Sequence, residues 1–284
     1  MKRKWVLRSS LAVVVIAAAA GLFYMQMLPK KIRPQEPISL AQTLPDLPQD
    51  KIFLTAHRGF SAVAPENTLP ALEKAADAGF FAAEFDIFES RDGVWMLMHD
   101  ETLERTTNGK GKLTQKTYTQ LRELTVDNGA NIAQYPALKI PTLDEALDSC
   151  QRTGLRPQIE IKAGSEAALQ KLADSLETRG LLHSAMVISF NHDILKQLHS
   201  LQPQVVCWYL VSFLDAETLA KCKETPEFRV AFNAGDAKNT GESIRRFQDA
   251  GLEMACWTID DPARLQSLYE THGLQYFTTN RIAP

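Results

Sequence analysis

The chain has 284 residues, 45% of them apolar and 23% charged, with a net charge of -3. That length suits one large domain or two small ones, and the mixed charge, without basic stripe or acidic tail, excludes a nucleic-acid-binding surface. Four cysteines in a chain this long are too few for a disulfide framework. Cys207 and Cys256 lie in apolar strand-like runs and Cys150 and Cys222 in helix-like ones. Free thiols in such places behave as small apolar groups, although export would allow two of them to pair.

Residues 1–8 form a basic segment with Lys2, Arg3, Lys4 and Arg8, and an uncharged run covers 9–29. About twenty apolar-dominated residues at ~1.5 Å each span a hydrocarbon core. The run therefore predicts a transmembrane anchor. A signal peptide competes, because Ala18-Ala19-Ala20 offers a small-residue cleavage site; a buried helix is the third reading. Lys30, Lys31 and Arg33 put positive charge on the far side too, so the charge bias favours a cytoplasmic N-terminus only weakly. Anchor or signal, the remaining chain is expected outside the cytoplasm, either membrane-anchored or secreted after cleavage. The stretch 29–50 holds five prolines and little periodicity, which predicts an extended linker over 30–50.

From residue 51 to the end, β-branched or aromatic runs alternate with helical patterns. Strands are expected at 52–57, 81–87, 157–162, 186–190, 205–211, 229–233, 254–258 and 276–280. Helical stretches such as LPALEKAADAG, TLDEALDSCQRTG and ARLQSLYETHG lie between them, each ending in the glycine that commonly follows a helix C-terminus. This rhythm predicts βαβ units and a parallel sheet. Eight strands over 51–284 suit a closed (β/α)8 TIM barrel. A doubly wound open sheet is the alternative, but no Gly-rich phosphate loop follows the first strand.

The run VWMLMH at 94–99 follows the second strand after only a short turn, too short for a parallel crossover. It is expected to return antiparallel through Arg91-Asp92-Gly93, Asp-Gly being a strong hairpin signal. A turn centred there pairs residues whose numbers sum to about 185, which places Asp86 opposite His99 and Glu84 further along the same face. A slip of one residue would turn His99 away.

The second strand ends at what is the catalytic face of such a barrel. The first strand runs into His57-Arg58-Gly59, and Glu160 and Lys162 share one face of the third. Charged groups inside apolar runs are costly without partners. Taken alone, Glu160 and Lys162 would be an interior salt bridge. Taken together, Glu84, Asp86 and Glu160 suit one divalent cation, Mg²⁺ or Ca²⁺, since carboxylates without thiolates favour hard metals. Lys162, His57 and Arg58 add positive charge and proton-transfer capacity, which suits a phosphate ester.

The stretch AHRGFSAVAPENTLPALEKAADAGFFAAEFDIFESRDGVWMLMHDETLERTTNGKG, followed by IPTLDEAL and QIEIK, closely resembles the glycerophosphodiester phosphodiesterase family. The match is dense from 56 to 162 and thinner beyond, where Cys256-Trp257-Thr258 resembles a late Trp-Thr strand. The resemblance implies a (β/α)8 barrel with an insertion after the hairpin, which 101–140 would supply. It implies that His57 and His99 are general base and general acid, roles suited to imidazole near neutral pH. It further implies metal binding by Glu84, Asp86 and Glu160, phosphate binding by Arg58 and Lys162, and a glycerol-side contact from Trp257, which could equally be core packing. Pro65-Glu66-Asn67-Thr68 reads as a helix start capped by Asn67 or Thr68. One departure stands out: the family's last strand typically ends in Thr-Asp, whereas here it ends in Thr279-Asn280.

The expected activity is hydrolysis of glycerophosphodiesters to glycerol 3-phosphate and an alcohol. A lysophospholipase D acting on lysolipid head groups, and a non-catalytic membrane-bound phosphodiester sensor, are the alternatives.

Overall fold

The computed structural model describes residues 31–284. The run 9–29, expected to be an anchor or signal, lies outside the described residues. Among the described residues no helix is long and apolar enough to cross a membrane.

The strands are β1 (Ile38–Ser39), β2 (Phe53–Ala56), β3 (Ala82–Glu89), β4 (Trp95–Leu97), β5 (Arg156–Ala163), β6 (Met186–Ser189), β7 (Val206–Val211), β8 (Arg229–Asn233), β9 (Met254–Trp257), β10 (Tyr276–Thr279) and β11 (Ile282–Ala283). The helices are α1 (Leu40–Thr43), α2 (Leu69–Asp77), α3 (Tyr118–Glu123), α4 (Leu143–Thr153), α5 (Glu166–Thr178), α6 (His192–Leu201), α7 (Ala216–Glu224), α8 (Gly241–Asp249) and α9 (Pro262–His272). β2, β10, β9, β8, β7, β6, β5 and β3 pair in that order, all parallel, and β3 closes on β2 with Thr55 opposite Ala82. The ring is the expected eight-stranded barrel, not an open sheet.

Side-chain alternation decides what faces where. Ala83, Phe85 and Ile87 of β3 join the core between strands and outer helices, while Ala82 joins Met186, Ile188, Trp208, Leu210, Ala231 and Ala255 in a separate interior cluster. Glu84 and Asp86 share the parity of Ala82 and therefore project inward. Gln158, Glu160 and Lys162 do the same on β5. Small residues at 82, 231 and 255 leave room above them for a cavity.

β4 runs antiparallel to β3, but the pairs are Ile87 with Leu97, Phe88 with Met96 and Glu89 with Trp95. Each sums to 184, one less than the turn predicted, because Ser90 to Val94 close a loop in which Ser90 N–H donates to Val94 O and Gly93 N–H to Ser90 O. The shifted register puts Met98, not His99, beside Asp86, and Met98 N–H donates to Asp86 O. His99 nonetheless reaches the cavity, since β4 ends at Leu97 and the chain beyond no longer follows the pleat. The segment 101–140 builds a small core of its own from Leu103, Leu113, Leu121, Val126 and Ile140 over Phe88, Met96 and Met98.

The proline-rich segment, expected as an extended tether, is docked at its C-terminal half. β1 pairs with β11, and Leu40 and Leu47 are buried in the main core. The pattern hid this because two isolated leucines show no period. All four cysteines are free and buried. Leu40→Ala is expected to cost about 2–5 kcal/mol of stability in urea unfolding; a loss under about 0.5 kcal/mol, typical of surface changes, would show the segment to be loosely held.

Candidate active site

The C-terminal ends of the strands surround a cavity of about 200 Å³ lined by His57, Arg58, Glu84, His99, Glu160, Lys162 and Trp257, among others. Of the eight residues expected to act on metal, phosphate, glycerol or protons, Asp86 alone does not line it. Asp86 is fully buried just behind, and carboxylate oxygens of Glu84, Asp86 and Glu160 all lie within 4.8 Å of one another.

Backbone turns after β2 set this up. Arg58 and Gly59 adopt left-handed conformations, φ 57° and 73°. The turn lets Arg58 N–H donate to Glu84 Oε2 at 2.8 Å, and it seats Gly59 so tightly against Ala71 that a Cβ there would collide with α2. Asn67, also left-handed and buried, donates from Nδ2 to Asp86 Oδ2 at 2.8 Å and accepts from Asp86 N–H at 2.9 Å. Asn67 is thus not a helix cap. Thr68 occupies the N-cap position, but its hydroxyl donates to Pro65 O instead of capping α2.

Three carboxylates this close repel, and the cations present answer them only in part. Lys162 Nζ lies 2.5 Å from Glu160 Oε1 and 2.9 Å from Asp86 Oδ1, so Glu160 and Lys162 do pair inside the barrel. Arg58 Nε stands 3.8 Å from Asp86 Oδ2, while Arg58 Nη1 donates to Glu66 Oε1. Burial, then Asp86 and Glu160, holds the Glu84 carboxyl well above the usual range. Burial and Asp86 together outweigh Lys162 and push Glu160 up to about 7. Burial also pushes Asp86 up, but Lys162, His99 and Arg58 bring it below its ordinary value. Glu84 Oε1 is buried with no hydrogen-bond partner among the described residues, which a protein rarely leaves unexplained. An all-oxygen cluster with an orphaned carboxylate oxygen fits a hard divalent cation, and these three residues could hold one.

Each histidine has its Nδ1 tied back. His57 Nδ1 lies 2.8 Å from Asn280 Oδ1. Asp260 fixes which end of that amide faces the ring: Asn280 Nδ2 donates to Asp260 Oδ2 at 2.6 Å and Asn280 N–H to Asp260 Oδ1 at 2.7 Å. Oδ1 is therefore an acceptor and His57 Nδ1 carries the proton, which leaves Nε2 facing Glu84 Oε2 at 4.0 Å. Burial and Arg58 lower the His57 imidazole to about 4. His99 Nδ1 lies 2.6 Å from Asp100 Oδ1, and Arg105 Nε donates to Asp100 Oδ2. Arg105 and His99 override burial to bring Asp100 down to about 2, so His99 Nδ1–H donates to an ionised carboxylate. Burial lowers His99 as well, with the Asp86 charge opposing. Arg105 also clasps Glu66 with both guanidinium NH₂ groups, Nη1 to Oε2 and Nη2 to Oε1. The insertion is thereby joined to the Arg58 side of the cavity.

Sequence reasoning missed the roles of Asn67, Asp100, Arg105 and Asp260. The first three sit in the stretch that carries the resemblance, but what each holds is set by the folded approach of its partners. Asp260 carried no local signal. Trp257 lines the cavity, donates Nε1–H to Ala231 O at 3.1 Å and meets Phe190 edge-on at 5.7 Å.

Comparison with known proteins matches residues 57–283 to the glycerophosphoryl diester phosphodiesterase family. A Bacillus subtilis glycerophosphodiester phosphodiesterase is 30% identical over 264 residues, 85% of this chain and 88% of that one. Glycerophosphodiester phosphodiesterase 1 of Mus musculus is 36% identical over 174 residues, 60% of this chain and 53% of the mouse protein, so the chain spans about half the length of that relative. Among solved structures, an Oleispira antarctica phosphodiesterase in complex with the product sn-glycerol-3-phosphate superimposes with a TM-score of 0.73 at 26% identity, covering 86% of this chain and 96% of that one. With the barrel, the inward carboxylates and the matched span in agreement, the chain belongs to the glycerophosphoryl diester phosphodiesterase family.

Proposed function

We propose that the protein hydrolyses glycerophosphodiesters to sn-glycerol 3-phosphate and an alcohol, with Glu84, Asp86 and Glu160 holding one divalent cation, Mg²⁺ or Ca²⁺. The observation that carries this reading is the pair of histidines facing one cavity beside a carboxylate cluster with an orphaned oxygen. A cation bound there would supply Lewis-acid polarisation of the phosphodiester and offset its developing charge. Arg58, whose Nε is buried without a hydrogen-bond partner among the described residues, and Lys162 hold phosphate oxygens. Trp257 lines the glycerol side.

The two histidines divide the proton work according to their partners. Burial and the Arg58 charge keep His57 a neutral imidazole, and Asn280, a neutral acceptor, holds its Nδ1–H and leaves Nε2 free. His57 takes the proton from the nucleophile, a water or the substrate's neighbouring hydroxyl. Asp100 is an anion, so its hydrogen bond works against the burial that lowers His99 and favours the protonated ring there more than neutral Asn280 does at His57. His99 gives its proton to the leaving alcohol oxygen. The Asp-to-Asn departure at 280 thus fits the base role. The reading extends to location: the run 9–29 delivers the barrel across a membrane, as an anchor or as a cleaved signal.

Removal of metal with a chelator is expected to abolish glycerol 3-phosphate release, and Mg²⁺ or Ca²⁺ to restore it. His57→Ala and His99→Ala are each expected to lower kcat by ~10²–10⁴ with the fold intact by circular dichroism. Chelator-insensitive turnover, or full activity of either variant, contradicts the mechanism. Asn280→Leu removes the acceptor that fixes His57 and is expected to lower kcat by ~10–100-fold with little change in KM, whereas an unchanged kcat would remove Asn280 from the account.

A further inference from the structure

A second cleft, of about 560 Å³, adjoins the catalytic cavity. The two share Glu160, Lys162 and Phe190 as lining, so the cleft opens beside the groups that would hold the phosphate. Its volume falls within the ~300–1,000 Å³ of small-molecule sites. It runs outward between the start of α6 and the end of α7, and none of the motifs used above reaches its far end.

The walls are built and not accidental. His192 is buried with Nε2 2.9 Å from Thr225 Oγ1, which stitches the start of α6 to the residue after α7. Asn191 caps α6 by accepting from Asp193 N–H and Ile194 N–H. The Tyr209 ring packs on His192 at 4.9 Å. Tyr209 is only 9% exposed and lines the cleft, and its hydroxyl makes no hydrogen bond among the described residues. A hydroxyl so placed wants a ligand or water partner.

The charge pattern selects the occupant. Glu160, Asp193 and Glu224 line the cleft together with Lys162 and Lys221, and Glu160 and Lys162 pair with each other. A cationic head group would meet two ammonium groups, and an anionic one three carboxylates. An acyl chain would strip water from all five without replacing it. A neutral alcohol with several hydroxyls can both accept from Tyr209 and donate to Glu224. Resting on the phosphodiesterase reading above, we propose that this cleft binds the leaving alcohol and selects a polyhydroxylated one, with Tyr209 and Glu224 as specificity-determining residues. It is a position for the departing group, separate from the glycerol contact at Trp257.

The test compares two diesters of sn-glycerol 3-phosphate, one with glycerol and one with methanol as the leaving alcohol, using the full chain with Mg²⁺ or Ca²⁺. The wild type is expected to show a kcat/KM about tenfold higher for the glycerol diester. Tyr209→Phe and Glu224→Gln should each cut that value roughly 2- to 13-fold, the worth of one hydrogen bond, while leaving the methyl diester unchanged. Glu224 is exposed, so its variant tests the idea even where Tyr209→Phe disturbs packing. Equal rates on both diesters, or variants that slow both alike, would overturn the cleft assignment while leaving the phosphodiesterase reading standing. Absence of glycerol 3-phosphate from either diester would instead remove that reading, and this one with it.

Discussion

The arrangement depends on one electrostatic constraint: three carboxylates from two adjacent strands, β3 and β5, converge within 4.8 Å at the buried end of a barrel. Like charges at that separation in a weakly screened interior oppose one another, and the protein shows the cost in the raised Glu84 and Glu160 carboxyls. Lys162 and Arg58 relieve only some of it. A cation between the carboxylates would resolve the remainder and give Glu84 Oε1 the partner it lacks.

The surroundings hold that cluster from several directions. Asn67 grips Asp86 through both ends of its amide, and the left-handed turn at Arg58 aims a backbone N–H at Glu84. The insertion contributes through Arg105, which binds Glu66 on one side and Asp100 on the other. Asp260 acts at one remove, fixing the amide that fixes the His57 ring. These contacts come from segments far apart in sequence, so the barrel's closure is what assembles the site.

Much of this was legible beforehand because it follows from periodicity. Alternation alone placed Glu84 with Asp86 and Glu160 with Lys162, and the rhythm of strands and helices gave the barrel. The Asp-Gly turn revealed the hairpin, but its register depended on how Ser90 and Val94 close the loop, which a one-residue count cannot resolve. His99 still arrived because it lies beyond the regular strand. Asn67 resembled a helix cap, since an asparagine before an apolar helical run commonly is one; only the tertiary approach of Asp86 reassigned it. The docking of Leu40 and the role of Asp260 have no local pattern at all, because both depend on partners that only the closed barrel brings near.

The central claim is that Glu84, Asp86 and Glu160 share one ion. Crystals grown with Mn²⁺ as a substitute for the native cation, with data collected for anomalous scattering, address it most directly. The account predicts a single strong anomalous peak bounded by oxygens of those three residues, with Lys162 still beside the site. A peak elsewhere in the barrel, or none between the carboxylates while Mn²⁺ supports turnover, would contradict it.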